Sequence, residues 1–543
     1  MIADWLTIRD VTASDNAHFE SCASDLELTQ QRILFDILAR NHDTEYANQY
    51  KFCQLDSVYD YQSTVPIVVF NDIEDQIDAQ TRGQKTLCSD PVIFYEQTSG
   101  STTVPKRLPY TEPSLKAIQQ AVNPWLHDLA TSRTNTAAGL SYWSISPAGR
   151  PPDNTPDGTP IGAPSDLAFL TPSLQAAFLN LFAVPPQVGG VEDVNEWRYL
   201  TLMGLIAEEN LSLISIWNPS FLSLLIAAIP TIEARFIHDL TCEPKDRSVE
   251  PEMWHAIMGN HDAKSVLKRF QCATEIGQVN TKILWPKLDT ISCWMHGSAM
   301  HSFDTLQSHF PSVYCQPKGL LATEAVVTFP LEGTVAPVLA VNSAFFEFRD
   351  DSGTIFLAHQ LKLDESYCVI VTTYGGLYRY NMGDVVVVRG YYKELPCLEF
   401  VGRLGQVSDL QGEKLNDVFV TDCLGEISGF SLLISHREEL NPDGYHVLVD
   451  SNCVDAFAAE SIASHVEKAL LRNPQYAYAR HLGQLAAVTV IRIYKPESLH
   501  QDFCAAKGLS LGDIKPTALC VDPELASYLL SAAVDDCDNG RRP

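Results

Sequence analysis

Thr98-Ser99-Gly100-Ser101-Thr102-Thr103-Val104-Pro105-Lys106 follows the apolar run Pro91-Val92-Ile93-Phe94-Tyr95. Hydroxyl side chains around one glycine, closed by a lysine, put backbone N–H groups, hydroxyl donors and a point charge into one short loop at the end of a strand. That is the chemistry a triphosphate requires. The stretch does not spell G-x-x-x-x-G-K-[ST], so an ordinary P-loop kinase or ATPase is not the first expectation. The plain alternative is a Ser/Thr-rich surface turn. What the chain supplies elsewhere decides between them.

A chain of 543 residues exceeds the roughly 100 to 200 residues of a usual domain, so two or more are expected. The formal net charge of -29 opposes nucleic acid and anionic membrane surfaces as partners. The 14 cysteines contain no C-x-x-C pair, which suits reduced thiols in a cytoplasmic protein and predicts no disulfide framework and no structural metal. Met1 to Trp5 has no basic segment leading into an apolar core, so no secretory signal is expected. Leu211 to Pro230 is uncharged over a length that spans a bilayer, but Trp217-Asn218-Pro219-Ser220 reads as a turn within it. The expectation is a buried strand from Leu211 to Ile216 and a packed helix from Phe221, with no membrane.

Along the chain, Ser24 or Asp25 caps a helix to about Arg40, with Leu26, Ile33, Leu34, Ile37 and Leu38 on one face. Val65 to Phe70 reads as a short strand and Asn71-Asp72 as a helix start. Thr111-Glu112-Pro113-Ser114 opens another helix, with a capping hydroxyl and a first-turn proline. Strand, polar loop and helix thus stand in the order of a phosphate site, with Arg107 to Tyr110 between. Pro147 to Pro164 is a loop. His296, His301 and His309 match no zinc spacing. Glu324, before Val326-Val327-Thr328-Phe329, and Asp384, before Val385 to Val388, are carboxylates at the edge of a β-rich region, suited to Mg²⁺ or to ribose hydroxyls. Their plain alternative is turn chemistry. After the polar segment Ser408 to Lys414, a strand at Tyr445 to Val449, a helix at Val454 to Leu471 and a strand at Leu485 to Tyr494 suggest a small α+β module. It carries Lys515 between a glycine and a proline, in a stretch where a surface lysine is the plain reading.

These pieces, in this order, resemble the adenylate-forming superfamily, and more closely its Gretchen Hagen auxin-responsive family of acyl acid amido synthetases. Thr98 to Lys106 is similar to the superfamily's T-S-G-S-T-G-x-P-K loop, Ala322-Thr323-Glu324 to its x-T-E magnesium motif, Gly383-Asp384 to its ribose-binding G-D, and Gly402-Arg403 to the G-R before its hinge. Gly376-Leu377-Tyr378-Arg379-Tyr380, Ile216-Trp217-Asn218-Pro219-Ser220-Phe221-Leu222 and Gly319-Leu320-Leu321-Ala322-Thr323-Glu324 carry the closer likeness. Two positions depart. Thr103 stands where the superfamily loop has glycine, and Leu320 where plant members have a tyrosine.

The resemblance implies an α/β adenylate-forming fold. It has a large N-terminal domain with a β-barrel-like part (1–402), a hinge (403–410) and a small mobile α+β domain (411–543). It implies ATP and Mg²⁺, a carboxylic acid and an amine or amino acid as partners, and two half-reactions. The acid attacks the α-phosphate to form an acyl-adenylate; the amine then takes the acyl group and AMP leaves. Lys106, Glu324 and Lys515 are the implied catalytic groups, with Glu324 on the metal. Thr98, Ser99, Gly100, Ser101, Thr102, Thr103, Thr323, Tyr378, Asp384 and Arg403 are implied to bind the nucleotide. Transfer to a coenzyme A thiol is the competing enzyme reading. A nucleotide-binding relic, suggested by Thr103, is the non-enzyme one. Trp143, Trp217 and Phe221 either line an acyl pocket or fill core; oligomeric state stays open.

Overall fold

The computed structural model describes residues 2–97, 106–144, 153–163, 166–275, 279–296, 299–404, 407–408, 410–411, 413–436, 443–481, 484–507, 509, 514 and 517–538, and every structural statement below refers to these. The expectations for Thr98, Ser99, Gly100, Ser101, Thr102, Thr103 and Lys515 lie outside them.

Apolar residues at helical spacing make Leu26–Arg40 a helix that buries Leu26, Ile33, Leu34, Ile37 and Leu38. Asp25 makes no side-chain cap there; Leu26 N donates instead to Glu394 Oε2 at 3.1 Å. The preceding helix Ile2–Cys22, which packs against the helix Glu112–Ser132, has no clear apolar stripe to announce it. Val65 to Phe70 is not a strand. It makes one isolated bridge, Val68 to Tyr380, because Pro66 offers no N–H and the helix Phe70–Gln80 begins at once, with Val69 N donating to Asp72 Oδ2 at 2.8 Å.

Val92–Gln97 pairs antiparallel with Arg107–Thr111. The stretch Thr98 to Lys106 therefore joins two strands of a hairpin, and the helix Glu112–Ser132, capped by Thr111, starts only after the second. Among the described residues, the strand Arg107–Thr111 and not a helix N-terminus follows Lys106.

Leu140–Trp143, Leu211–Ser215, Thr290–Cys293 and Tyr314–Pro317 form a parallel sheet. Its second strand is wholly buried, as expected for the apolar run, and the helix Pro219–Thr241 follows. That helix is long and apolar enough to cross a bilayer, while its Phe221, Leu222, Leu225, Ile226 and Ile229 pack into the core around the parallel sheet. A seven-stranded sheet runs from the edge Ile355–Leu357 through Phe345–Arg349, Ser366–Thr372, Tyr380–Tyr392 and Leu395–Arg403 to the short strands Val338–Leu339 and Thr328–Phe329. Beyond residue 403 a separate mixed sheet, ordered Thr489–Ile493, Gly444–Asp450, Ser431–His436, Leu519–Cys520, has its own apolar clusters. The architecture is thus mixed α/β, with a large N-terminal part and a smaller C-terminal part.

Candidate active site

Glu324 sits at the tip of a narrow loop. Gly319 lies so close to the strand Thr328–Phe329 that a Cβ there would meet the Thr328 carbonyl oxygen at 2.1 Å, so only glycine lets the chain fold back. Leu320 N donates to Thr328 Oγ1 at 2.8 Å and Val327 N to the Leu320 carbonyl at 2.9 Å. The Thr323 carbonyl accepts from the Tyr110 hydroxyl at 2.6 Å, and the Thr323 hydroxyl donates to Glu324 Oε2 at 3.3 Å. This loop is tied to the hairpin that carries Lys106.

Asp384 and Arg403 stand opposite each other in the register of Tyr380–Tyr392 with Leu395–Arg403. Gly383, at φ +76°, precedes Asp384 within the strand, and Leu404 N donates to its carbonyl at 2.7 Å. Arg403 Nε donates to Asp384 Oδ1 at 2.5 Å, with Nη2 at 3.4 Å from Oδ2. The carboxylate is buried and the guanidinium partly exposed. The Asp384 charge raises the Arg403 pKa above the ordinary arginine value, against the opposing effect of burial.

Lys106 opens the strand Arg107–Thr111, its Nζ 5.5 Å from the Phe70 ring centroid. Burial pulls its pKa below the ordinary lysine value; Glu324 and Asp384 oppose that pull and Arg403 adds to it. Burial pushes the Tyr380 hydroxyl up, and the same Glu324 and Asp384 add to that shift while Arg403 opposes it. Lys106, Glu324, Asp384 and Arg403, from four separate segments, therefore share one electrostatic site with Tyr380. Beside Glu324 lies a small recess of about 30 Å³, walled by Leu108, Tyr110, Ala117, Ile118, Val326 and Leu377, with Ser114, Ser343 and Thr373 as polar points. Glu324 is the one charged side chain in its lining.

The ligand atoms at Thr323 and Glu324 are hard oxygens, the type Mg²⁺ takes. His238, Asp239 and Cys242 also lie close enough for a metal. Asp239 is already held by Tyr199 Oη at 2.6 Å, Ser248 N at 2.7 Å and Ser248 Oγ at 2.6 Å, so that group is read as packing.

Tyr378 is a correction. Its ring is fully buried, stacked on Tyr46 at 4.9 Å and edge-on to Phe52, and its hydroxyl donates to the Leu87 carbonyl at 2.7 Å. No surface is left for a nucleotide. Arg379 beside it is likewise structural: Nε and Nη2 donate to Glu347, each at 2.9 Å, and Nη1 to the Gln62 and Val65 carbonyls.

Sequence reasoning passed over Tyr110, Tyr380, Phe70 and Lys318. Lys318 follows the strand Tyr314–Pro317, donates to Ser215 Oγ at 2.9 Å, and lies 4.3 Å from the Trp217 ring centroid and 6.0 Å from that of Trp143. Trp143 and Trp217 thus meet at a buried ammonium at the carboxyl ends of the parallel strands, whereas Phe221 is core. Only the spacing of aromatic residues at strand ends hinted at this cluster.

Residues 16–315 match the model of the GH3 family N-terminal domain, and residues 337–403 that of the GH3 family central domain. Indole-3-acetic acid-amido synthetase GH3.17 of Arabidopsis thaliana is 21% identical over 597 residues, covering 95% of this chain and 94% of the relative. GH3.6 of the same plant, also named an indole-3-acetic acid-amido synthetase, is 23% identical over 572 residues, covering 95% and 92%. Among solved structures, AtGH3.15 acyl acid amido synthetase in complex with 2,4-DB matches with a TM-score of 0.84 at 18% identity, covering 96% of each chain. 2-Hydroxyisobutyryl-CoA ligase in the postadenylation state matches with a TM-score of 0.52 at 12% identity, covering 94% and 91%. At these identities the structural likenesses speak for the fold.

Proposed function

The chain belongs to the GH3 family, and from that premise and this site we propose that it is an ATP-dependent ligase. It activates a carboxylic acid as its acyl-adenylate and passes the acyl group to an amine or amino acid, forming an amide with release of pyrophosphate and AMP. The observation that carries this reading is that Lys106, Glu324, Asp384 and Arg403 act on one another electrostatically, with Asp384 and Arg403 in direct contact and Glu324 at the tip of a loop tied to the Lys106 hairpin.

The chemistry follows from charge. A carboxylate attacking the α-phosphorus needs its own charge and that of the triphosphate offset, with no side-chain nucleophile. Lys106 supplies a partly desolvated positive charge, which acts more strongly there than in water. Glu324 and Thr323 would hold Mg²⁺, which when bound neutralises phosphate charge. In this reading Asp384, buried against Arg403, belongs to the ribose contact, and the partly exposed Arg403 guanidinium is the member of the pair that reaches the nucleotide. Thr98, Ser99, Gly100, Ser101, Thr102 and Thr103 belong in this reading to the phosphate grip, and Lys515 to the developing charge at the α-phosphate. Residues 403–410 serve as hinge: the last long strand of the N-terminal part ends at Arg403, and buried Glu413, accepting from Leu410 N at 2.9 Å and Gln411 N at 2.7 Å, anchors the chain beyond.

The test is acid-dependent exchange of pyrophosphate into ATP across aliphatic, aromatic and hydroxy acids. Wild-type protein is expected to exchange with at least one acid, and Glu324→Ala to lose about a hundredfold or more. Folded wild-type protein that exchanges with none overturns the reading. Product mass spectrometry with amine and thiol acceptors in competition then separates amide formation from thioester formation.

A further inference from the structure

The turn Trp217-Asn218-Pro219-Ser220 leaves the strand Leu211–Ser215 and starts the helix Pro219–Thr241. Asn218 caps that helix, its Oδ1 accepting from Ser220 N at 3.0 Å. A cap uses only this acceptor, and aspartate caps as well as asparagine. The Asn218 amide also donates. Its Nδ2 reaches the Ile514 carbonyl at 3.3 Å, a buried contact that crosses from the N-terminal to the C-terminal part. Two residues on, Ser220 Oγ accepts from Gln501 Nε2 at 3.0 Å, on the helix Pro496–Ala506. Asn218, Ser220, Gln501 and Ile514 are all buried.

The chain just past Lys515 is gripped from the other side. Asp417 heads the helix Asp417–Leu424, and its Oδ1 accepts from Thr517 Oγ1 at 2.8 Å, Ala518 N at 2.8 Å and Leu519 N at 2.9 Å. One side chain of the N-terminal part therefore holds residue 514, and one of the C-terminal part holds residues 517 to 519.

We propose that Asn218 is a positioning residue for acid activation: through the Ile514 carbonyl, with Ser220 and Gln501 alongside, it docks the C-terminal part in the orientation the first half-reaction uses. The inference rests on the function proposed above, because only the role assigned to Lys515 ties residue 514 to that half-reaction. Amide formation from a ready-made adenylate does not use this contact.

Asn218→Asp tests it without disturbing the cap: the new carboxylate still accepts from Ser220 N but faces the Ile514 carbonyl with oxygen. Acid-dependent pyrophosphate exchange is expected to fall about tenfold, the equivalent of one buried hydrogen bond, with the KM for ATP unchanged. Amide formation from supplied acyl-adenylate is expected to hold, with rates compared at a temperature where both proteins are folded. In a Lys515→Ala background Asn218→Asp is expected to cost nothing further. Equal loss in both half-reactions, additive loss on Lys515→Ala, or undiminished exchange overturns the proposal. If wild-type protein exchanges with no acid, the functional reading fails; amide hydrogen exchange at Ala518 and Leu519, faster in Asn218→Asp, then decides whether Asn218 docks the C-terminal part at all.

Discussion

Burial pulls the Lys106 pKa down, so its proton is the property that pH reaches first. The folded protein holds Lys106 below the ordinary lysine value, which means the unfolded chain binds more protons in the window just under pH 10.5. Two signs follow. Stability contributed by this residue rises with pH through that window, while any activity needing the ammonium falls there. The pH profile of pyrophosphate exchange is expected to show an alkaline limb below 10.5. Lys106→Arg, which stays charged, is expected to lower the rate and remove the limb. A limb unchanged in Lys106→Arg would assign it to another group. Asp384 and Arg403 show what was readable at this scale: each was visible as a polar residue at the end of a motif, but their pairing comes from strand register, which no motif spells.

Among elements, the turn from Thr373 to Tyr380 separates likeness from role. Gly376-Leu377-Tyr378-Arg379-Tyr380 was legible as a signature, yet its tyrosine and arginine hold elements together rather than a ligand. Arg379 and Glu347 form a buried bidentate pair, their side chains 6% and 1% exposed, linking the strand Phe345–Arg349 to this turn. Removing one member leaves the other charge buried. Arg379→Met is therefore expected to destabilise the protein by about 3 to 5 kcal/mol in urea unfolding while leaving the nucleotide KM of the folded fraction intact. A raised KM without loss of stability would return Arg379 to the site. Periodicity found Leu26–Arg40 because its apolar face meets one core, and the run Leu211–Ser215 stood out because it is buried on both faces, Leu213 in one apolar cluster and Leu211 and Ile214 in another. It did not show the hairpin around Thr98 to Lys106, since Arg107–Thr111 looks like loop until its pairing with Val92–Gln97 is known. The helix Ile2–Cys22 was hidden for the reason that its buried residues form no clean stripe.

At the scale of the molecule, order along the chain told more than any single segment: loop, carboxylates, arginine and a distal α+β part stood in sequence before any of them was known to touch. What order does not convey is how the two parts dock, because that depends on carbonyls and amides such as Ile514 and Gln501 that belong to no motif. His500, next to Gln501, is where acid is expected to act on the docking. Burial lowers its pKa to about 4, with the ring nitrogen Nε2 at 3.8 Å from Cys504 Sγ and Phe430 at 6.2 Å. The folded protein keeps this imidazole neutral where the unfolded chain protonates it near 6.5. Its contribution is therefore complete above pH 6.5 and is lost as pH falls to about 4, a difference of about 3 kcal/mol. Other groups add slopes of their own, so the measurement is a comparison: urea unfolding between pH 7 and 4 in wild type and in His500→Leu. The wild type is expected to lose stability more steeply, with hydrogen exchange at Ala518 and Leu519 accelerating in acid before global unfolding. Parallel slopes in the two proteins would show that the histidine is accommodated in acid and that docking does not depend on its neutrality.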